Sequence, residues 1–213
     1  MNRFTFAHIG RWLLHLHYNV RATGQQVMND GRTHLLLPNH TAFIDPLLVG
    51  AENWRVPLSP LSDERFVRHP LWGRFLRLFG AIEVPDLTVP GHLHAGAAEA
   101  SQLTSIARNA LAEGRELLIY PSGHIKTTDC EQIGNRRLAY ELCRDLPEGV
   151  EVVLLRMRGL ETSHWSKLRP KQWLWRRTVT MHYEDMTAQL RTWATTLDRR
   201  SFNQHLEDWY NFA

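Results

Sequence analysis

Short apolar runs that stop abruptly at turn-forming residues recur along the chain with helix-length stretches between them, and this alternation limits the possible folds. The runs predict strands over His34–Leu37, Ala81–Val84, Glu116–Tyr120, Val150–Leu155 and Thr178–Tyr183. Helical spacing predicts helices over Phe43–Ala51, Pro70–Phe79, Ala95–Glu113, Gly134–Leu146, Thr187–Leu197 and Ser201–Phe212. Such alternation implies the α/β class. The helix before Glu116 has the clearest end, because Gly114 stands where a C-cap glycine belongs and a strand follows at once.

The 213 residues, 43% of them hydrophobic, suffice for one continuous core, and no composition shift or repeat marks a boundary, so residues 1–213 read as a single domain. The two cysteines, Cys130 and Cys143, cannot form a disulfide framework and no CxxC pair exists, which favours a reducing interior. The formal charge is only +3. Its distribution is uneven, because Arg3, Arg11 and Arg21 precede the first acidic residue, Asp30.

The first 24 residues form an amphipathic segment. Phe6, Ile9, Leu13 and Leu16 recur at helical spacing, with Trp12 and Tyr18 interleaved. Arg11, His15 and His17 interrupt any apolar window near the roughly 20 residues a membrane span needs. No small-residue cleavage site follows, so a signal peptide is not expected. Two readings stand: a helix packed on the core, or one lying in a bilayer surface.

Two predicted strands run directly into polar turns, "LLLPNH" and "ELLIYPSGH". In open α/β sheets, ligands bind at the carboxyl ends of strands, so these turns are where chemistry is expected. His40 and Asp45 follow the first strand, five positions apart. On one ideal helix they would point about 140° apart. They can meet if His40 belongs to the turn and Asp45 to the first turn of the next helix, a boundary that Pro46 favours. A carboxylate accepting one ring N–H would then leave the other nitrogen as a base. The competing reading is an Asn-His turn with Asp45 as an N-terminal helix acid.

After the second strand, the Pro121-Ser122-Gly123 turn offers backbone N–H groups to an anion, with His124 and Lys126 following. A nucleophilic Ser122 is the competing idea, but Tyr120 stands where a G-x-S-x-G elbow needs its first glycine. Arg136 and Arg137 lie at a predicted helix start. Arg156 and Arg158 lie at a strand end, where arginines can grip a phosphate and at most one of the two is expected to face a given site. No metal is expected: His92 and His94 have no carboxylate within three residues.

Taken together, "PNHTAFIDP", "FGAIEV", "LLIYPSGHI" and "VEVVLLRMRGLETSHWSKL" resemble, in order and separation, the blocks of the phospholipid/glycerol acyltransferase family, the lysophosphatidate acyltransferase relatives. The last stretch is also similar to the acyltransferase half of bifunctional lysophospholipid acyltransferase/acyl-carrier-protein synthetase proteins. The resemblance implies a mixed, mostly parallel sheet flanked by helices. It implies His40 as general base and Asp45 as its partner, without cofactor or bound metal. It further implies an acyl thioester of coenzyme A or acyl-carrier protein as donor, and a lysophospholipid or glycerol phosphate as acceptor. Asn39, Tyr120, Pro121, Ser122, Gly123, His124, Lys126, Arg137, Arg156 and Arg158 are the expected substrate contacts. Where relatives read F-P-E-G-T-R, this chain has Tyr120-Pro121-Ser122-Gly123-His124-Ile125, without the acid or the arginine. The second block lacks its arginine too, Val84 being followed by Pro85 and Asp86. With a lipid substrate, the basic aromatic amino end is expected at a membrane surface, as a peripheral cytoplasmic protein with no nucleic-acid partner. A thioester or lipid hydrolase using Ser122, and an inactive membrane-associating module, are the alternatives.

Overall fold

The computed structural model describes residues 3–70, 72–84, 96–173 and 175–212. Its elements in chain order are α1 (Arg3–His17), β1 (Tyr18–Thr23), β2 (Thr33–Pro38), α2 (Asp45–Glu52), β3 (Ser59–Asp63), α3 (Glu64–Arg68), α4 (Trp72–Leu78), β4 (Ile82–Val84), α5 (Gly96–Ala112), β5 (Leu117–Leu118), α6 (Leu138–Arg144), β6 (Val150–Arg158), β7 (Arg177–Asp185), α7 (Thr187–Thr196) and α8 (Arg199–Phe212). The strands form one sheet in the order β1-β7-β6-β2-β5-β3-β4. Every neighbouring pair is parallel except β6 with β7.

The central strands are apolar along their length because the sheet is covered on both faces. Leu35 and Leu37 pack with Leu111, Leu142, Phe202 and Leu206 from α5, α6 and α8. Leu36, pointing the other way, packs with Tyr18, Ile44, Leu48 and Val49. Since β2 sits between β6 and β5, its carboxyl end emerges in the middle of the sheet.

Several boundaries differ from the sequence expectation for physical reasons. The helical spacing of the amino end stops at His17, and Tyr18, Val20 and Ala22 then alternate with polar residues in β1, beside β7. β3, reading SPLSD, carries too little apolar sequence to be recognised. The helix expected over residues 70–79 is present as α4, and a short helix that was not expected, α3, precedes it. Ala95, Pro85, Asp86, His92 and His94 lie outside the described residues.

The orientation of α1 bears on the core-packed reading. Ile9, Leu13 and Leu16 of the predicted apolar stripe are exposed, and so is the interleaved Trp12, by 63%. The helix is tied to α2 by its polar side instead: Arg11 Nε lies 3.2 Å and His15 Nε2 2.5 Å from the buried Glu52 carboxylate. The core-packed expectation is therefore corrected for this stripe, although Ala7 and the half-buried Leu14 do pack inward.

At the other end of the chain, α8 buries Phe202, Leu206, Trp209 and Tyr210, and the Tyr210 hydroxyl donates to the Leu37 carbonyl at 2.7 Å. Phe202 has no exposed surface. Phe202→Ala is expected to lower stability by about 3–5 kcal/mol in urea denaturation. A loss below about 1 kcal/mol, the usual range for surface changes, would mean that α8 is not part of the core.

Candidate active site

β2 ends at Pro38 and the chain turns through residues 39–44 before α2 begins at Asp45. Pro46 falls in the first helical turn, where its missing N–H costs nothing. Asp45 is fully buried, and the turn wraps around its carboxylate: Oδ2 accepts the Thr41 N–H at 2.6 Å and the Ala42 N–H at 2.9 Å. His40 Nδ1 lies 3.1 Å from the same oxygen. An ionised carboxylate can only accept, so Nδ1 carries the proton and Nε2 keeps its lone pair. The other oxygen, Oδ1, is buried without a hydrogen-bond partner among the described residues. The Tyr120 ring stacks on the imidazole, centroids 3.9 Å apart and planes 20° apart. The histidine ring is thus fixed on one edge and one face while keeping 15% of its side-chain surface exposed.

The loop after β5 closes over the His40 main chain from two sides. Lys126 N–H donates to the His40 carbonyl at 2.8 Å, and His40 N–H donates to Glu131 Oε2 at 3.2 Å. Glu131 is 2% exposed and its Oε1 has no hydrogen-bond partner among the described residues. Asn211 of α8 secures it, accepting the Glu131 N–H at 2.8 Å and donating to the Glu131 carbonyl at 3.1 Å. Burial raises the pKa of Glu131, against the opposing effects of hydrogen bonds from Ser122 and His40 and of the His40 and Lys126 charges. The Ser122 hydroxyl also lies 3.0 Å from the His124 carbonyl, and with one proton it can donate to only one of these acceptors at a time. Sequence reasoning missed Glu131 and Asn211. Neither sits in a motif, and only the tertiary path of the loop brings them to His40.

The other predicted contacts divide. Tyr120 is at the histidine, and the buried Pro121 and Ser122 shape the turn that follows it. Asn39 is corrected: it is 4% exposed and both ends of its amide bind the Met157 main chain, at 2.9 Å and 2.7 Å, so it straps β2 to β6. The Gly123 N–H closes the turn onto the Tyr120 carbonyl at 3.0 Å, so its expected role as an anion donor is corrected. His124 is exposed and its Nδ1 lies 2.7 Å from the Ser122 carbonyl. The buried Lys126 ammonium is held by the Asp129 carbonyl at 3.3 Å and by Glu161 at 3.5 Å, an internal pairing in place of the expected substrate contact. Arg137 lines a polar cleft with Ser101, Thr104, Arg108, Glu141 and Arg144.

Arg156 and Arg158 are two positions apart and so share a face of β6, which corrects the expectation that only one could face a given site. Both reach α8. The Arg156 guanidinium lies 4.6 Å above the Trp209 ring and donates to the Trp209 carbonyl, whereas the exposed Arg158 donates to the carbonyl of Asn211 at 3.5 Å. Arg158 therefore adjoins the residue that holds Glu131.

A pocket of about 380 Å³ adjoins the turn at Ile44, lined also by Leu14, Tyr18, Trp165 and Trp173 among others. Ile44 directly precedes Asp45, and the Phe43 N–H donates to the Trp165 carbonyl at 3.0 Å.

The raised pKa of Glu131 sets a pH dependence. Its stabilising contribution is complete below the unfolded-chain value of about 4.3 and is lost as pH rises through the folded value. Glu131→Gln removes that titration, so the melting temperature of the variant relative to wild type should be more favourable at pH 8 than at pH 5. Equal differences at both pH values would contradict the buried, raised carboxyl.

A model of the family described as Acyltransferase matches residues 19–158, a span that contains His40, Asp45, Tyr120 and Glu131. Among solved structures, the fold is similar to that of the 1-acyl-sn-glycerophosphate (LPA) acyltransferase PlsC from Thermotoga maritima. The TM-score is 0.60 and the identity 12%, over 95% of this chain and 79% of that one. The structural likeness concerns the fold, while the family match covers most of the sheet and the turn carrying the histidine and aspartate. The chain belongs to the Acyltransferase family.

Proposed function

We propose that this acyltransferase moves a fatty acyl group from a thioester of coenzyme A or acyl-carrier protein to the hydroxyl of a lysophospholipid or glycerol phosphate, with His40 as general base. The observation that carries this reading is the 3.1 Å contact between His40 Nδ1 and a buried, doubly backbone-bonded Asp45 carboxylate. His40 Nε2 takes the proton of the acceptor hydroxyl as its oxygen attacks the thioester carbonyl carbon. Asp45 stabilises the imidazolium that forms. As the tetrahedral intermediate collapses, the carbon–sulfur bond breaks, the imidazolium returns its proton to the departing thiolate, and the ester remains. No cofactor takes part. Direct transfer is favoured over a Ser122 acyl-enzyme because that serine is 1% exposed.

The apolar pocket beside Ile44 suits the acyl chain, and Arg158, near Asn211 and Glu131, suits the headgroup phosphate. The acylated product is a lipid with either acceptor, and a surface suited to a bilayer adjoins the pocket. The exposed face of α1 continues into Trp173 and Trp175, which are 71% and 69% exposed, with the His17 ring packed edge-on against both. From Ser163 to Tyr183 the sequence holds five Lys and Arg residues and no acid. Aromatic rings beside cations suit the headgroup region of anionic lipids. No helix among the described residues is long and apolar enough to cross a membrane, so the proposed association is peripheral.

Two measurements test these assignments. In a thiol-release assay over a panel of lysophospholipids and both donor types, His40→Ala should lower the rate by roughly 10²–10⁴-fold with the circular dichroism spectrum unchanged. Near wild-type turnover would overturn the base assignment. In vesicle flotation with anionic liposomes, the double variant Trp173→Ala/Trp175→Ala should partition at least about tenfold more weakly. Unchanged partition would remove this surface from the membrane contact.

A further inference from the structure

At the amino ends of the central strands, away from His40, the sheet gathers a second histidine and three carboxylates. His34 of β2 is directly opposite Glu151 of β6 in the parallel register, Glu116 immediately precedes β5 on the other side, and Asp30 lies in the turn leading into β2. Along β2, His34 is six residues from His40, roughly 20 Å at strand rise, so this cluster lies outside the acyl-transfer site.

The His34 ring is 1% exposed and held from one side. Glu116 Oε2 accepts the His34 backbone N–H at 2.8 Å and lies 3.1 Å from Nδ1, which places the Nδ1 proton on that contact. The far nitrogen, Nε2, lies 3.1 Å from Asp30 Oδ1 and 3.8 Å from Glu151 Oε2. It makes a hydrogen bond with neither. Arg32 takes the outer oxygens, pairing its Nη1 with Glu151 Oε1 and standing 3.9 Å from Asp30 Oδ2 with its Nε. The inner oxygens, Asp30 Oδ1 and Glu151 Oε2, face Nε2, although Asp30 Oδ1 also accepts the Arg32 backbone N–H at 2.9 Å and the two carboxyl groups also pair with each other.

We infer that His34 Nε2, Asp30 Oδ1 and Glu151 Oε2 form a binding site for a divalent cation of the zinc type, with Glu116 orienting the histidine ligand. One ligand atom from each of the three residues lies within 4.8 Å of the others. A tetrahedral zinc with arms of about 2.0–2.1 Å needs ligand atoms about 3.3 Å apart, a value that the two histidine distances bracket. A carboxylate receiving the second ring N–H is the usual support of a zinc-bound histidine. The charges agree as well, since three carboxylates face one guanidinium and a divalent cation makes the set neutral. Such an ion would clip β2 to β6 and fix the Asp30 turn.

A proton competes for the same nitrogen. Burial opposes the imidazolium, but Glu116, Asp30 and Glu151 together raise the His34 pKa above its ordinary value. Asp185 adds to the negative field at Glu151, and Arg32 opposes it.

The test uses the full chain, stripped with chelator and titrated with ZnCl2 by calorimetry and thermal melting, and with CoCl2 by visible absorption. One saturable ion per chain is expected, with a raised melting temperature and a tetrahedral cobalt spectrum. His34→Gln and Asp30→Asn should each weaken binding at least about tenfold, Glu116→Gln by about 10–100-fold, and His40→Ala should leave it unchanged. Should the buried His34→Gln fail to fold, the half-exposed Asp30 still decides the matter. Absence of binding by wild type, or wild-type affinity in Asp30→Asn, would overturn the proposal.

Discussion

A carboxylate with no exposed surface organises the turn between β2 and α2. Asp45 cannot be buried ionised unless donors surround it, and those donors are the N–H groups of Thr41 and Ala42 and the ring of His40. The requirement works in both directions. The backbone must curl to bring its N–H groups to Oδ2, and curling places the imidazole beside the same oxygen. Local chain geometry, imposed by one acid at a helix start, therefore sets the tautomer of the histidine.

The turn is held in place by elements distant in sequence. Asn39 fastens it to β6 through the Met157 main chain, and the Ala42 bridge to Ser166 fastens its far side. The loop after β5 grips the His40 main chain through Lys126 and Glu131. Asn211 and Tyr210 of α8 reach behind that loop and β2. This helix lies beyond the residues matched by the family model, so the last turn of the chain supports a site built mainly from earlier residues. Because the third block lacks its acid, Glu131 is notable in bringing a buried carboxyl to Ser122 from nine positions further along.

The sequence made some of this legible. β2, β6 and β7 were readable because strands in a covered sheet must be apolar for several residues. The meeting of His40 and Asp45 was readable because Pro46 marks where a helix can start. β1 and β3 were hidden, the first by an uninterrupted helical pattern before it, the second by polar residues and Pro60. Periodicity located the apolar stripe of α1 but could not tell what it faces, since packing against a core and against a bilayer demand the same residues. The binding turn misled for another reason: N–H groups that look available in sequence, such as that of Gly123, are consumed in closing the turn itself. Arg156 likewise spends its guanidinium on Trp209, a partner 53 positions away.

The control of an imidazole by Asp45 can be observed without substrate. Nitrogen NMR of the 15N-histidine-labelled protein, with His40 assigned by comparison with His40→Ala, distinguishes a protonated from an unprotonated ring nitrogen. In the neutral form of the ring the expected spectrum has the proton on Nδ1 and a bare Nε2, and Asp45→Asn abolishes that preference. A His40 signal with the proton on Nε2, or a tautomer ratio indifferent to the Asp45 substitution, would contradict the assignment of the base.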